Sequence, residues 1–206
     1  IDVDELSLAN EGRWPWHRDK IAYLLDILFD YYQVRLVAFD VVFPEPDEFP
    51  EIGVMRDLLR HAVPADNPVH ALVQDLAEQD SYDQQLASSI TGRLVVLGFF
   101  AGVDQAKGVG ALPKAQSSPV GLADQLYSAQ GYGGNLPLFQ RQTPYAGFFN
   151  NPAVDEDGLF RRLPLLMSYD GSVYPALSLA IVQALMSQSG LEFEVADGYG
   201  GSDANS

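Results

Sequence analysis

The stretch Val34-Arg35-Leu36-Val37-Ala38-Phe39-Asp40-Val41-Val42-Phe43 constrains the fold more than any other part of the chain. It is rich in β-branched and aromatic residues and almost continuously apolar, the pattern of a strand covered on both faces. Such strands belong to parallel sheets, whose crossover helices supply the cover. Just upstream, Ile21, Leu24, Leu25, Leu28 and Tyr32 recur at helical spacing and predict an amphipathic helix from Arg18 to about Gln33. Ahead of it, Ile1 to Val3 reads as the end of another strand, followed by a loop through Asp4-Glu5-Leu6-Ser7-Leu8 and Gly12-Arg13-Trp14-Pro15-Trp16. Strand, helix and strand together make a βαβ unit, which should be right-handed and parallel. A chain that opens on the end of a strand also reads as cut from something longer.

Pro44-Glu45-Pro46-Asp47 ends the apolar run, because proline cannot donate to a ladder. Helical periodicity then predicts helices over 52–61, 69–78 and 82–91, the last with Asp80 or Ser81 as its N-cap. Arg93 to Phe100 is a second buried strand. Residues 101–143, rich in Gly and Pro, read as a long excursion with one short helix near 121–128. Strands are expected at 144–150 and 159–169, and Asp170-Gly171 between apolar runs signals a tight hairpin. A strongly apolar helix follows Pro175, and 191–195 is a candidate last strand. The expected fold is α/β: a mixed, largely parallel sheet with helices on both faces and a C-terminal hairpin plus helix. Residues 1–196 form one domain in this reading, and 197–206 a loose tail leading toward a membrane segment.

The chain has 206 residues and a formal net charge of −16. An acidic balance of this size argues against nucleic acid, whose phosphates call for clustered Lys and Arg. Lys20, Lys107 and Lys114 are the only lysines, so no basic run exists to dock on an anionic membrane. With no cysteine, disulfide frameworks, thiol catalysis and Cys-ligated metals are excluded. No stretch reaches the ~18 apolar residues of a membrane span, and the first residues are not a signal peptide. There is no G-x-S-x-G, P-loop or H-E-x-x-H motif, and Gly108-Val109-Gly110 lacks the third glycine of a dinucleotide fingerprint. His17, His61 and His70 are far apart and form no set with a nucleophile. Asp155-Glu156-Asp157-Gly158 is like the opening of a calcium loop, but no Glu stands where the closing ligand must be, and a hairpin turn accounts for it better. No cofactor is expected.

If 1–3 and 34–43 are adjacent parallel strands, Asp4 and Glu5 lie at the carboxyl end of one and Asp40 at or near that of the other. Open α/β sheets take ligands in the crevice outside those ends, and Arg18 and Asp47 are placed to reach the same rim. Two readings stand. In one, Asp4, Glu5, Arg18, Asp40 and Asp47 receive a polar ligand or a cation; in the other, Asp40 caps a turn and the rest are solvated loop charges. Asp40 carries most of the argument, because a carboxylate within an apolar strand is costly unless paired. Trp14-Pro15-Trp16 likewise either seals an edge of the core or lines a pocket.

The run Val3 to Leu8, then Gly12-Arg13-Trp14-Pro15-Trp16 with Arg18, resembles the opening signature of CHASE2 domains. So do Phe39-Asp40-Val41-Val42-Phe43 with Glu45-Pro46-Asp47, Leu97-Gly98, Gly147-Phe148-Phe149-Asn150, Asp155 to Gly158 with Arg161-Arg162-Leu163-Pro164, and Tyr174-Pro175-Ala176-Leu177. The matches run in order through most of the chain. Departures are His17, where the family most often has proline, and segments 56–79 and 101–143, which are longer than usual. The resemblance implies a non-catalytic, extracytoplasmic (periplasmic) sensor domain of a bacterial membrane receptor, held between membrane helices. The cytoplasmic outputs it implies are histidine kinases, nucleotide or diguanylate cyclases, or Ser/Thr kinases. The expected partner is an unidentified small molecule or periplasmic protein. Two rivals remain: an interaction or homodimerisation module using 101–143, and a metal-dependent hydrolase holding Mg²⁺ on the acid cluster.

Overall fold

The computed structural model describes residues 2–47, 50–79, 81–102, 108–151, 163–187 and 191–193. Helix α1 (Glu5–Glu11) replaces the expected loop. Asp4 caps it, accepting from the Ser7 backbone N–H at 2.8 Å and the Ser7 hydroxyl at 2.7 Å. Those bonds hold the Asp4 carboxyl below its ordinary pKa. None of the residues of α1 is buried, so it has no apolar stripe from which periodicity would reveal it. Asp2 and Val3 enter no ladder, and Ile1 lies outside the described residues, so the expected strand at 1–3 is not observed there.

Helix α2 (Arg18–Asp26), with a π-helical continuation Ile27–Tyr31, buries Ile21 and Leu25. Its first N–H is capped from a distance: the Arg18 backbone N–H donates to Asp47 Oδ2 at 2.6 Å. Strand β1 comprises only Val37–Phe39 and is half-buried, shorter and more exposed than the run 34–43 predicts. Helices α3 (Pro50–Ala62) and α4 (Val69–Gln79) form a hairpin whose main packing is with each other. Helix α5 (Tyr82–Ile90), capped by Ser81, buries Leu86 and Ile90 against α2.

Strand β2 (Val95–Gly102) is the centre of the main sheet. It pairs in parallel with β1 on one side and with β5 (Ala146–Phe148) on the other. Its far end pairs antiparallel with β4 (Gly131–Gly133). A second sheet contains β3 (Tyr127–Ser128), β6 (Leu166–Tyr169) and β7 (Ser172–Pro175). The β6–β7 hairpin turns on Asp170 (φ 48°) and Gly171 (φ 69°), the left-handed pair that an Asp-Gly turn supplies. Helix α7 (Leu177–Leu185) closes the C-terminal unit. Of the candidate last strand, 191–193 form none and 194–195 lie outside the described residues, as do the turn at 155–158, the start of the strand at 159 and the tail.

Alternation along β2 sorts the core. Val95, Leu97 and Phe99 pack with α2 and α5, while Val96 packs with Ala180 and Ala184 of α7. The fold is therefore α/β, with helices on both faces of a mixed sheet. Gly147 lets α7 approach: a side chain there would meet the Ala176 backbone at 2.6 Å.

The excursion is stitched into this core. It contains a 3₁₀ turn (Ala123–Gln125), β3, β4 and a short helix α6 (Pro137–Gln140). Asn135 is fully buried; its side chain accepts from Phe43 N–H at 2.9 Å and donates to Gly98 C=O at 2.8 Å. Asn150 clasps Ala101 in the same manner, accepting from its N–H at 2.7 Å and donating to its carbonyl at 2.8 Å.

Candidate functional site

The five residues singled out by sequence do not converge. Asp4 and Glu5 open α1 and are exposed. Asp40 stands immediately after β1 and is exposed as well, so the cost of burying a carboxylate within a strand does not arise. Arg18 and Asp47 do meet, at a junction that sequence reading missed because its third member, Asp83, reads as an ordinary first-turn helix acid. There the buried Arg18 lies with Nε 3.8 Å from Asp83 Oδ1 and its guanidinium 4.5 Å above the Phe43 ring. Asp47 accepts from Arg18 N–H, sits 2.9 Å from His17 Nδ1, and donates its own N–H to Asp83 Oδ2 at 2.9 Å. Burial pulls the Arg18 pKa down against the opposing pull of Asp47 and Asp83, yet a guanidinium remains charged at neutral pH. The junction ties α2, the segment after β1 and α5 together; Arg18 Nε and Asp83 Oδ1 face each other there as a buried ion pair at 3.8 Å, longer than a hydrogen bond. Among the described residues no group of three or more His, Asp or Glu side chains is placed to hold a metal ion.

A concave apolar site lies elsewhere, along β1. A cavity of about 380 Å³ runs between α2 and the strand. Val37, Ala38 and Phe39 form its floor, and Ile21, Leu24 and Leu25 a wall. Trp14 and Trp16, joined by a cis peptide at Pro15 and packed edge-to-face at 5.7 Å, line it too, as does Val3. Asp40 is the one ionisable group among its described lining residues. The tryptophan segment thus lines a pocket, and one residue of the predicted acid set, Asp40, belongs to it. An apolar cavity with a single convergent charge suits a ligand that is mostly apolar and carries one cationic or donor group.

This is an α/β domain with a concave apolar site beside an edge strand. The sequence model of the CHASE2 domain matches residues 1–201, and the chain belongs to that family, whose members are extracytoplasmic sensory domains. No curated protein and no solved structure matches the chain. Among the described residues no helix is long and apolar enough to cross a membrane.

Proposed function

We propose that the domain is the sensing part of a bacterial membrane receptor, that the cavity beside β1 is its ligand site, and that flanking membrane helices carry the resulting shift to a cytoplasmic output domain. The supporting observation is the cavity itself: apolar, bounded by α2 and an edge strand, with Asp40 at its polar point. A ligand transmits a signal only by binding two conformations unequally. The route by which it would do so here is the segment from Asp40 to Asp47, which joins the cavity to the junction at Arg18.

Trp14 and Trp16 are the only tryptophans in the chain and both line the cavity, so intrinsic fluorescence reports occupancy directly. The neutral fluorophore N-phenyl-1-naphthylamine is expected to bind saturably, quench tryptophan emission by energy transfer and raise Tm. Leu24→Trp, which fills the space, should weaken that binding at least tenfold with the fold intact. Unchanged binding in that variant would move the ligand site away from the cavity.

A second reading, a protein-interaction module, has its own observation. Val54, Met55, Leu58 and Leu72 are exposed on the α3–α4 hairpin; the excursion 101–143, first expected to supply a partner surface, places Ala129 and Phe139 in the core and leaves Val109 and Val120 exposed. Concentration-dependent sedimentation abolished by Leu58→Glu is the expected result of this reading; a monomer at high concentration would count against it.

A further inference from the structure

We infer that a second crevice, beside the amino ends of β2 and β5, binds a small hydroxycarboxylate between Lys114 and Arg141. The inference does not depend on the cavity beside β1. The crevice has a volume of about 430 Å³, and Lys114 and Arg141 are the only ionisable residues of its described lining. A base-only crevice runs against the composition, in which 28 acids face 12 bases. Arg18, Lys20, Arg60 and Arg93 each stand beside a carboxylate. Among the described residues, Lys114 and Arg141 enter no ion pair. In a domain of net charge −16, two cations without neighbouring acids make a local attractor for an anion that can enter the crevice. The same net charge repels a polyanion, so the ligand is small.

The two cations are carried on backbone that the core holds in place. Segment 111–116 is tied at both ends: the Ala111 N–H donates to Asn135 C=O at 2.7 Å, and the Gln116 N–H to Val173 C=O at 2.9 Å. Arg141 directly follows α6, and its N–H donates to Pro137 C=O at 3.1 Å. Two residues on, the Thr143 hydroxyl donates to Val95 C=O at 2.6 Å, at the first residue of β2. Pro113, Pro137 and Pro144 wall the crevice, and their fixed φ angles keep its shape without a ligand, which lowers the ordering cost of binding. Gln140 lines the crevice as well. Its Nε2 donates to Thr143 C=O at 3.1 Å, while its Oε1 is enclosed and has no donor, a costly arrangement. Cations on two separate segments suit a ligand with at least two carboxylates. A hydroxyl on that ligand supplies the donor that Gln140 lacks once its side chain rotates toward the crevice.

The test is calorimetric titration with citrate, with tricarballylate (the same three carboxylates without the hydroxyl) and with inorganic phosphate, all at ionic strength matched with KCl. Citrate should bind saturably, and tricarballylate about fivefold or more weakly. Lys114→Met and Arg141→Met should each weaken citrate by about fivefold or more. Both side chains are exposed, so Tm and the binding of N-phenyl-1-naphthylamine beside β1 should stay unchanged in these variants. Gln140→Met should bring citrate and tricarballylate to the same affinity. No saturable citrate binding, or citrate binding untouched by both cation substitutions, overturns the site, whatever the fluorophore does. Equal affinity of citrate and tricarballylate for the unaltered protein overturns the hydroxyl contact. Phosphate binding as tight as that of citrate overturns the carboxylate pair.

Discussion

Arg18→Ala is expected to lower the unfolding free energy by about 3–5 kcal/mol, the cost of leaving a buried carboxylate without its counter-charge. The side chains of Arg18 and Asp83 are only 10% and 7% exposed, so water does not replace the lost partner. The substitution also removes the guanidinium from the face of Phe43 and empties space beside a fully buried ring. Asp47 is affected less, because the α2 backbone still donates to it. Urea denaturation measures the loss, and Arg18→Ala with Asp83→Asn separates charge from packing. The double variant keeps an oxygen to accept the Asp47 N–H and should recover a large part of the stability, since no buried charge then stands alone. A single variant that loses less than about 1 kcal/mol, the range of exposed pairs, would show that the site is solvated.

Asn135→Leu is the second large effect. The shape is nearly conserved, yet the Phe43 N–H and the Gly98 C=O lose their buried partners, each at a cost of about 1–3 kcal/mol. The denaturation midpoint should fall with little change in slope. Asn135→Asp gives the opposite pH signature to most carboxylates. A carboxyl buried against the Gly98 carbonyl is held protonated, so its folded pKa is raised; stability is retained in acid and lost as pH rises above about 4, the unfolded value. A variant whose stability is flat from pH 4 to 7 would mean that the side chain has turned out to solvent.

Much of the architecture was legible because burial writes itself as period. Helices α2, α3, α4, α5 and α7 fall where apolar residues recur at helical spacing, and Asp170-Gly171 marks its hairpin through the left-handed backbone angles that such a pair tolerates. The excursion was not legible because single polar side chains hold it. Asn135 follows Gly133 and Gly134, a composition that reads as turn, and nothing local announces that its amide spans β2 and the segment after β1. Asp83 was missed for a related reason: in a helix's first turn an acid is expected to face water. The candidate set Asp4, Glu5, Arg18, Asp40 and Asp47 rested on a strand at 1–3; residues 2–3 enter no ladder and α1 follows them, so Asp4 is a cap and only Arg18 and Asp47 come together. The Trp-Pro-Trp segment had two readings, and both of its tryptophans line the cavity beside β1.

The junction has an architectural consequence. The α3–α4 hairpin leaves the body after Asp47 and returns at Ser81, and the Asp47 N–H to Asp83 bond draws entry and exit to one point. A segment whose two ends are already stapled acts as a cassette: loop-closure cost grows only slowly with its length, and its removal breaks neither the sheet nor the α2–α5 contact. This part of the chain can therefore be lengthened or shortened without redesigning the sensory body.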